Sequence, residues 1–164
     1  MRARMTIRRL LTSGFLLGAL VAYLLPFAAL RADRLTLFTL SGAQLVTSET
    51  FYITGVAGPF TVPPDPFLVA AAVLVLGALL SRIGKSRLWR RVSLALAACA
   101  FLALTLFPFT TSDRIPTAMS HTASLRLVTG YWVSLSCCLL AAASMACECR
   151  RARVLADAVT SGSR

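Results

Sequence analysis

The chain has 164 residues, of which 57% are hydrophobic and only 14% charged, against roughly 45–50% and about 25% in an ordinary soluble domain. Polar residues this sparse cannot cover a folded chain with so much apolar surface, which excludes an ordinary soluble enzyme and a disordered chain. The net charge of +11 points first to nucleic acid, until the positions of the charges are considered.

Charged residues divide the chain. Residues 1–9 carry Arg2, Arg4, Arg8 and Arg9, and Leu10–Leu30 follows as 21 residues without a charge. A signal-peptide core is about 7–15 residues and ends at a small-residue cleavage site. This run is longer and has no clean A-x-A pattern near Leu25–Ala29, so an uncleaved anchor over 10–30 is expected in preference to a cleaved signal. Residues 31–65 form the one sizeable outer segment. Within it Arg34–Leu40 is rich in strand formers, Ser41-Gly42 breaks the run, and Phe51–Thr54 is a second short strand candidate. The segment reads either as a small β-hairpin or as a loosely ordered loop. Gly55, Gly58, Pro59, Pro63, Pro64 and Pro66 mark an irregular return.

Pro66–Ser81 is uncharged over 16 residues, short against the span of about 17–25 residues that crosses a bilayer. A snorkelling Arg82 and Ile83-Gly84 lengthen it, giving a span over 66–83. A basic loop over 84–91 holds Lys85, Arg87, Arg90 and Arg91. Val92–Ser112 gives a third span over 92–112, and a short polar loop covers 113–126. Leu127–Cys147 gives a fourth over 127–147, followed by a tail over 148–164. The predicted fold is an all-α membrane protein, a four-helix transmembrane bundle with a small outer loop.

Alternate segments carry 13 and 4 of the 17 Lys and Arg residues. The acids Asp33, Glu49, Asp65 and Asp113 fall on the sparse side, and Glu148 and Asp157 on the rich side, so the whole net charge of +11 lies on one face. That is the positive-inside pattern, and it predicts both termini in the cytoplasm. The expected partners are then the lipid bilayer, anionic headgroups at the cytoplasmic face and a protein partner, with no nucleic acid.

Cys99, Cys137, Cys138, Cys147 and Cys149 all fall in predicted spans or at the cytoplasmic end. A membrane disulfide-forming enzyme needs them at the oxidising face. Cys147-Glu148-Cys149 offers two thiolates to a soft metal, but the only His, His121, lies on the opposite face, so no tetrahedral site is expected. HExxH, GxSxG and Walker A patterns are missing from the sequence. Asp33 and Asp113 are read as local partners of Arg34 and Arg114 rather than as a catalytic pair. No catalytic residue, metal or cofactor is predicted. The spans hold no charged residue or His, which disfavours an autonomous ion-coupled carrier.

Small residues are the clearest pattern. Gly130, Ser134, Cys138, Ala142 and Ala146 recur every four residues in the fourth span, and Gly14, Gly18 and Ala22 in the first. Such stripes let helix backbones approach where lipid supplies no hydrophobic force. Packing within the chain is preferred to homodimerisation. Leu25-Pro26-Phe27 before Asp33-Arg34 and Phe107-Pro108-Phe109 before Asp113-Arg114 form a faint echo. The frequency of Pro and Phe at membrane exits accounts for it better than a parallel repeat does.

Three stretches carry a resemblance: Leu25-Pro26-Phe27, Leu40-Ser41-Gly42-Ala43-Gln44-Leu45-Val46-Thr47, and Gly130-Tyr131-Trp132-Val133-Ser134-Leu135. With them the chain resembles a loose group of uncharacterised small bacterial four-span membrane proteins. Members often carry a Cys after the first exit, where this chain has Arg31-Ala32-Asp33-Arg34. The resemblance implies a topology and no activity. The expected role is that of a non-enzymatic accessory or partner-binding component in the bacterial cytoplasmic membrane. A small permease component for an uncharged or lipid-like substrate is the alternative, and a membrane enzyme ranks last.

Overall fold

The computed structural model describes residues 2–32, 35–47, 49–52, 59–84, 86–111 and 123–161. The chain is mostly helical. In order it forms α1 (Arg2–Ala22), β1 (Pro26–Ala32), β2 (Leu35–Ser41), α2 (Gly42–Thr47), β3 (Glu49–Tyr52), β4 (Pro59–Val62), α3 (Pro66–Ser81), α4 (Arg87–Thr111), β5 (Ala123–Leu127) and α5 (Thr129–Ser161).

Four helices form a ring in which α1 and α4 each touch both α3 and α5. Neighbours run antiparallel. Thr12 meets Ser144 while Ala19 meets Ser134, and Ser93 meets Met145 while Leu104 meets Tyr131. All five strands are therefore connected through one end of the ring, the sheet end. The α3–α4 turn and Arg82 lie at the other, the arginine end.

At the sheet end β1 is the central strand of an antiparallel sheet ordered β2-β1-β5. Ala28, Ala29 and Leu30 face Leu40, Thr39 and Phe38 on β2 and Leu127, Arg126 and Leu125 on β5. A separate pair joins β3 to β4, Glu49 facing Val62 and Tyr52 facing Pro59. Of the two readings of the outer segment, a small β-hairpin is the one found, but its strands are β3 and β4, while Leu35–Leu40 lies in β2 and pairs with β1. The loop expected over 113–126 likewise ends in β5.

The first span is corrected too. Its uncharged run extends to Leu30, but the helix stops at Ala22, where Tyr23, Leu24 and Leu25 turn their amides to Leu20, Val21 and Ala22 in tight three-residue bonds. Pro26 cannot continue the ladder. The chain stays apolar because Phe27, Ala28 and Ala29 of β1 are buried in protein, where both edges of the strand are paired. Pro26 opens a strand whereas Pro108 lies inside α4, so the sequence echo around these prolines has no structural counterpart.

The third and fourth spans are helical over most of their expected lengths, but α5 continues through the predicted tail to Ser161. Helix α3, in the stretch expected as the second span, starts at Pro66, where the uncharged run begins. Asp65 is its N-cap and is buried, with Oδ1 accepting from the amides of Phe67 at 2.9 Å and Leu68 at 3.2 Å, and Pro66 opens the helix. The helix α2 begins with a capping box. The Ser41 amide donates to Gln44 Oε1 at 2.8 Å, and the Gln44 amide donates to Ser41 Oγ at 3.2 Å.

Candidate functional site

Two clusters hold the ring together, one at each end. The sheet-end cluster is built around Phe27, which is fully buried. Its ring lies 4.9 Å from that of Tyr23 and 6.2 Å from that of Tyr131, and Tyr131 lies 6.0 Å from Phe107. Two glycines let the backbone close on it. A Cβ at Gly42 would stand 2.9 Å from the Phe27 ring, and one at Gly130 would stand 2.6 Å from the Pro26 carbonyl oxygen and 2.9 Å from the same ring. One phenylalanine thereby ties β1, α2 and α5.

Hydroxyl groups in the core serve helix carbonyls that have lost their usual donors. The Tyr23 amide is turned to Leu20, and Ser134 Oγ donates to the carbonyl of Ala19 at 3.3 Å. The Arg82 amide is turned to Leu79, and the carbonyl of Ala78 accepts from Ser81 Oγ at 2.8 Å and from Ser93 Oγ at 3.0 Å. Pro108 has no amide, and the carbonyl of Leu104 accepts from Tyr131 Oη at 3.2 Å. The bonds from Ser134, Ser93 and Tyr131 run from one helix to another, that from Ser81 stays within α3, and each satisfies a backbone group that is costly to bury alone. Tyr23 Oη adds a bond to the carbonyl of Leu68 at 3.2 Å. Of these hydroxyls, the sequence stripe includes Ser134 alone. The Pro at position 108 was the one visible sign that a specific carbonyl needs a donor.

The arginine-end cluster centres on Arg82 and Glu148. Nη1 and Nη2 of Arg82 donate to Oε2 and Oε1 of Glu148 at 3.1 and 3.3 Å. The two side chains are only 7% and 15% exposed. Since α3 and α5 are diagonal in the ring, this ion pair crosses it. The expectation that Arg82 snorkels to water is corrected, because a buried carboxylate holds it. Just inside the pair lie buried Thr12, hydrogen-bonded with Ser144 at 2.8 Å, and Ser93, 3.2 Å from Met145 Sδ.

The predicted packing stripes are realised in part. Gly130, Ser134 and Cys138 are buried, while Ala142 and Ala146 are half-buried, and Ala141 and Met145 take over the core positions. Helix geometry explains the drift, since each step of four residues overshoots a full turn by about 40° and four steps by about 160°. In α1, Ala22 is buried and a Cβ on Gly18 would make ordinary contact with Cys137 Sγ at 3.4 Å, but Gly14 is exposed and faces open space.

The five cysteines carry free thiols, with Cys138 buried, Cys137 and Cys149 half-buried, and Cys99 and Cys147 exposed. Among the described residues no three His, Cys, Asp or Glu side chains converge. Asp33, Asp113 and His121 lie outside the described residues. Chemically, the arrangement presents a filled, cross-braced core with hydroxyls spent on backbone carbonyls. No protein-family model, curated protein or solved structure matches the chain.

Proposed function

We propose that the chain is a four-span integral membrane protein of the bacterial cytoplasmic membrane, with both termini in the cytoplasm. Its role is that of a non-enzymatic component that binds a protein partner through the sheet end. The observation that carries the reading is an apolar belt on all four helices of the ring. Leu10, Leu17 and Val21 on α1, Val73, Leu76 and Leu80 on α3, Leu102 and Leu106 on α4, and Leu139 and Leu140 on α5 are all exposed. Water would not tolerate so continuous a belt, and lipid favours it.

The helix lengths support the reading. Leu88–Phe109 and Thr129–Arg151, with 22 and 23 residues, reach about 33–34 Å, against a hydrocarbon core of about 30 Å. Only 28% and 22% of their apolar windows are buried, unlike the core helix of a soluble domain, and neither stands at the amino terminus as a signal would. The apolar stretches Arg9–Ala22 and Pro66–Ser81 are shorter. Exposed Leu24 and Leu25 prolong the first, and exposed Ile83 the second.

The test has two parts. A reporter active only outside the cytoplasm, inserted between β3 and β4, should be active, and the same reporter fused after Arg164 should be silent. An active carboxyl-terminal fusion overturns the topology. Gentle solubilisation should then recover a stoichiometric protein partner, lost when the sheet is disrupted by Phe27→Asp. Recovery of the chain alone at every detergent strength overturns the partner role.

A further inference from the structure

The bonds between helices set their relative heights at the arginine end. Ser93 Oγ is 3.2 Å from Met145 Sδ, so these residues are level on α4 and α5. Arg90 lies three residues from Ser93 toward the arginine end, and Arg150 lies five residues from Met145 in the same direction. At about 1.5 Å per residue their heights differ by about 3 Å. Arg91, Arg150 and Arg151 are exposed and Arg90 is half-buried. Four arginines thus stand near one level on two touching helices.

Their charge has little to balance it. Glu148 and Asp157 are the only acids in the chain after Asp113. Glu148 is spent on Arg82 in a two-point ion pair, and Asp157 stands about two helical turns beyond Arg150. On the same two helices, exposed Trp89 stands next to Arg90, and exposed Leu102 and Leu106 of α4 and Leu139 and Leu140 of α5 keep the surface apolar further toward the sheet end. Cationic groups above an apolar wall match a phospholipid with a net negative headgroup. A zwitterionic lipid brings its own cation, and a free anion makes no use of the wall.

We propose that the arginine end of the α4–α5 seam is a binding site for an anionic phospholipid, with Arg90, Arg91, Arg150 and Arg151 as the phosphate contacts. The proposal rests on the membrane reading above and narrows it to one seam and one lipid class. Each arginine contributes about fivefold to affinity at such a surface.

The test uses the full chain, delipidated in mild detergent and titrated with phosphatidylglycerol or with phosphatidylcholine of the same acyl chains, with bound lipid counted by native mass spectrometry. Phosphatidylglycerol should bind at least about tenfold more tightly, and R91Q/R151Q should weaken it by about 30-fold. R91K/R151K, which keeps the charge, and R126Q, at an exposed residue of β5, should each stay within about twofold of the parent, as cation–phosphate attraction demands. Equal binding of the two lipids, an unaffected R91Q/R151Q protein, or displacement of the lipid by millimolar inorganic phosphate would overturn the proposal. Alkaline extraction of membranes separates this from the wider reading. A chain that stays in the membrane pellet but shows no lipid preference loses only the lipid site, whereas a chain released by alkali loses the membrane reading itself.

Discussion

The hydroxyl of Tyr131 donates to the carbonyl of Leu104 at 3.2 Å, four residues before Pro108, which has no amide to offer that carbonyl. A side chain on α5 therefore supplies a bond that α4 cannot make for itself. Tyr131→Phe should cost about 1–3 kcal/mol, because the carbonyl is left without its donor in a buried place. Pro108→Ala returns an amide to position 108, so in that background Tyr131→Phe should cost much less. Thermal unfolding of the four proteins in one detergent measures the coupling. Equal costs of Tyr131→Phe in both backgrounds would show that the two residues act independently.

The ion pair of Arg82 and Glu148 is a second cross-brace, on the diagonal of the ring. Removing one partner leaves the other charge buried, so Glu148→Ala should cost about 3–5 kcal/mol. Replacing both by leucine should recover most of the loss, since a well-packed apolar pair avoids the desolvation of two ions. At 7% and 15% exposure the pair is shielded from counterions, and the penalty should persist at high salt. A loss of stability that vanishes in salt would place the pair in open water.

Charge positions made the ends of α3 legible, since Asp65 and Arg82 bound its uncharged run. The end of α1 was not legible by charge, because an apolar strand follows an apolar helix and both are uncharged. Pro26 was the local mark of that boundary. Strand pairing escaped for a different reason. Ala28 pairs with Leu127 across 99 residues, which leaves no local pattern, whereas its pairing with Leu40 is local and was masked because β1 lies in the uncharged run read as helix. Of the small-residue stripe, Gly130, Ser134 and Cys138 are buried and Ala142 and Ala146 half-buried, a drift that a strict four-residue repeat must show on a helix of 3.6 residues per turn. The ion pair was hidden because Arg82 and Glu148 each look like ordinary residues of a basic membrane face.

Glycine gives a test with opposite signs at two positions that the sequence treats alike. A methyl group at Gly130 would stand 2.6 Å from the Pro26 carbonyl oxygen, backbone that cannot easily yield, whereas at Gly14 it meets open space. Gly130→Ala should destabilise by about 1–3 kcal/mol through overpacking. Gly14→Ala should stabilise by about 0.5–1 kcal/mol, because alanine restricts the unfolded chain and favours helix. Midpoints of thermal unfolding in detergent decide the signs. A destabilised Gly14→Ala protein would mean that α1 meets another surface at that residue, such as a second copy.

Cysteine labelling examines both the packing and the membrane reading at single residues. Cys147 is exposed at the arginine end of α5, beside Arg150 and Arg151, and Cys138 is fully buried against the core. Cys99 is exposed on α4, yet it sits midway along the apolar stretch Leu88–Phe109. In a bilayer its surroundings are acyl chains. Maleimide addition needs a thiolate, and a thiolate needs water at the sulfur. Inverted membrane vesicles, with the cytoplasmic face outward, should therefore show rapid labelling at Cys147, slow labelling at Cys99 and none at Cys138 within the same period. All three should label once the chain is unfolded in a strong ionic detergent, as mass spectrometry of the peptides would record. If Cys99 were to label as fast as Cys147 in intact vesicles, water would surround the middle of α4, and that helix would not cross the membrane. If Cys138 were to label ahead of both, the α1–α5 contact around Gly18 and Ser134 would be open in the native protein.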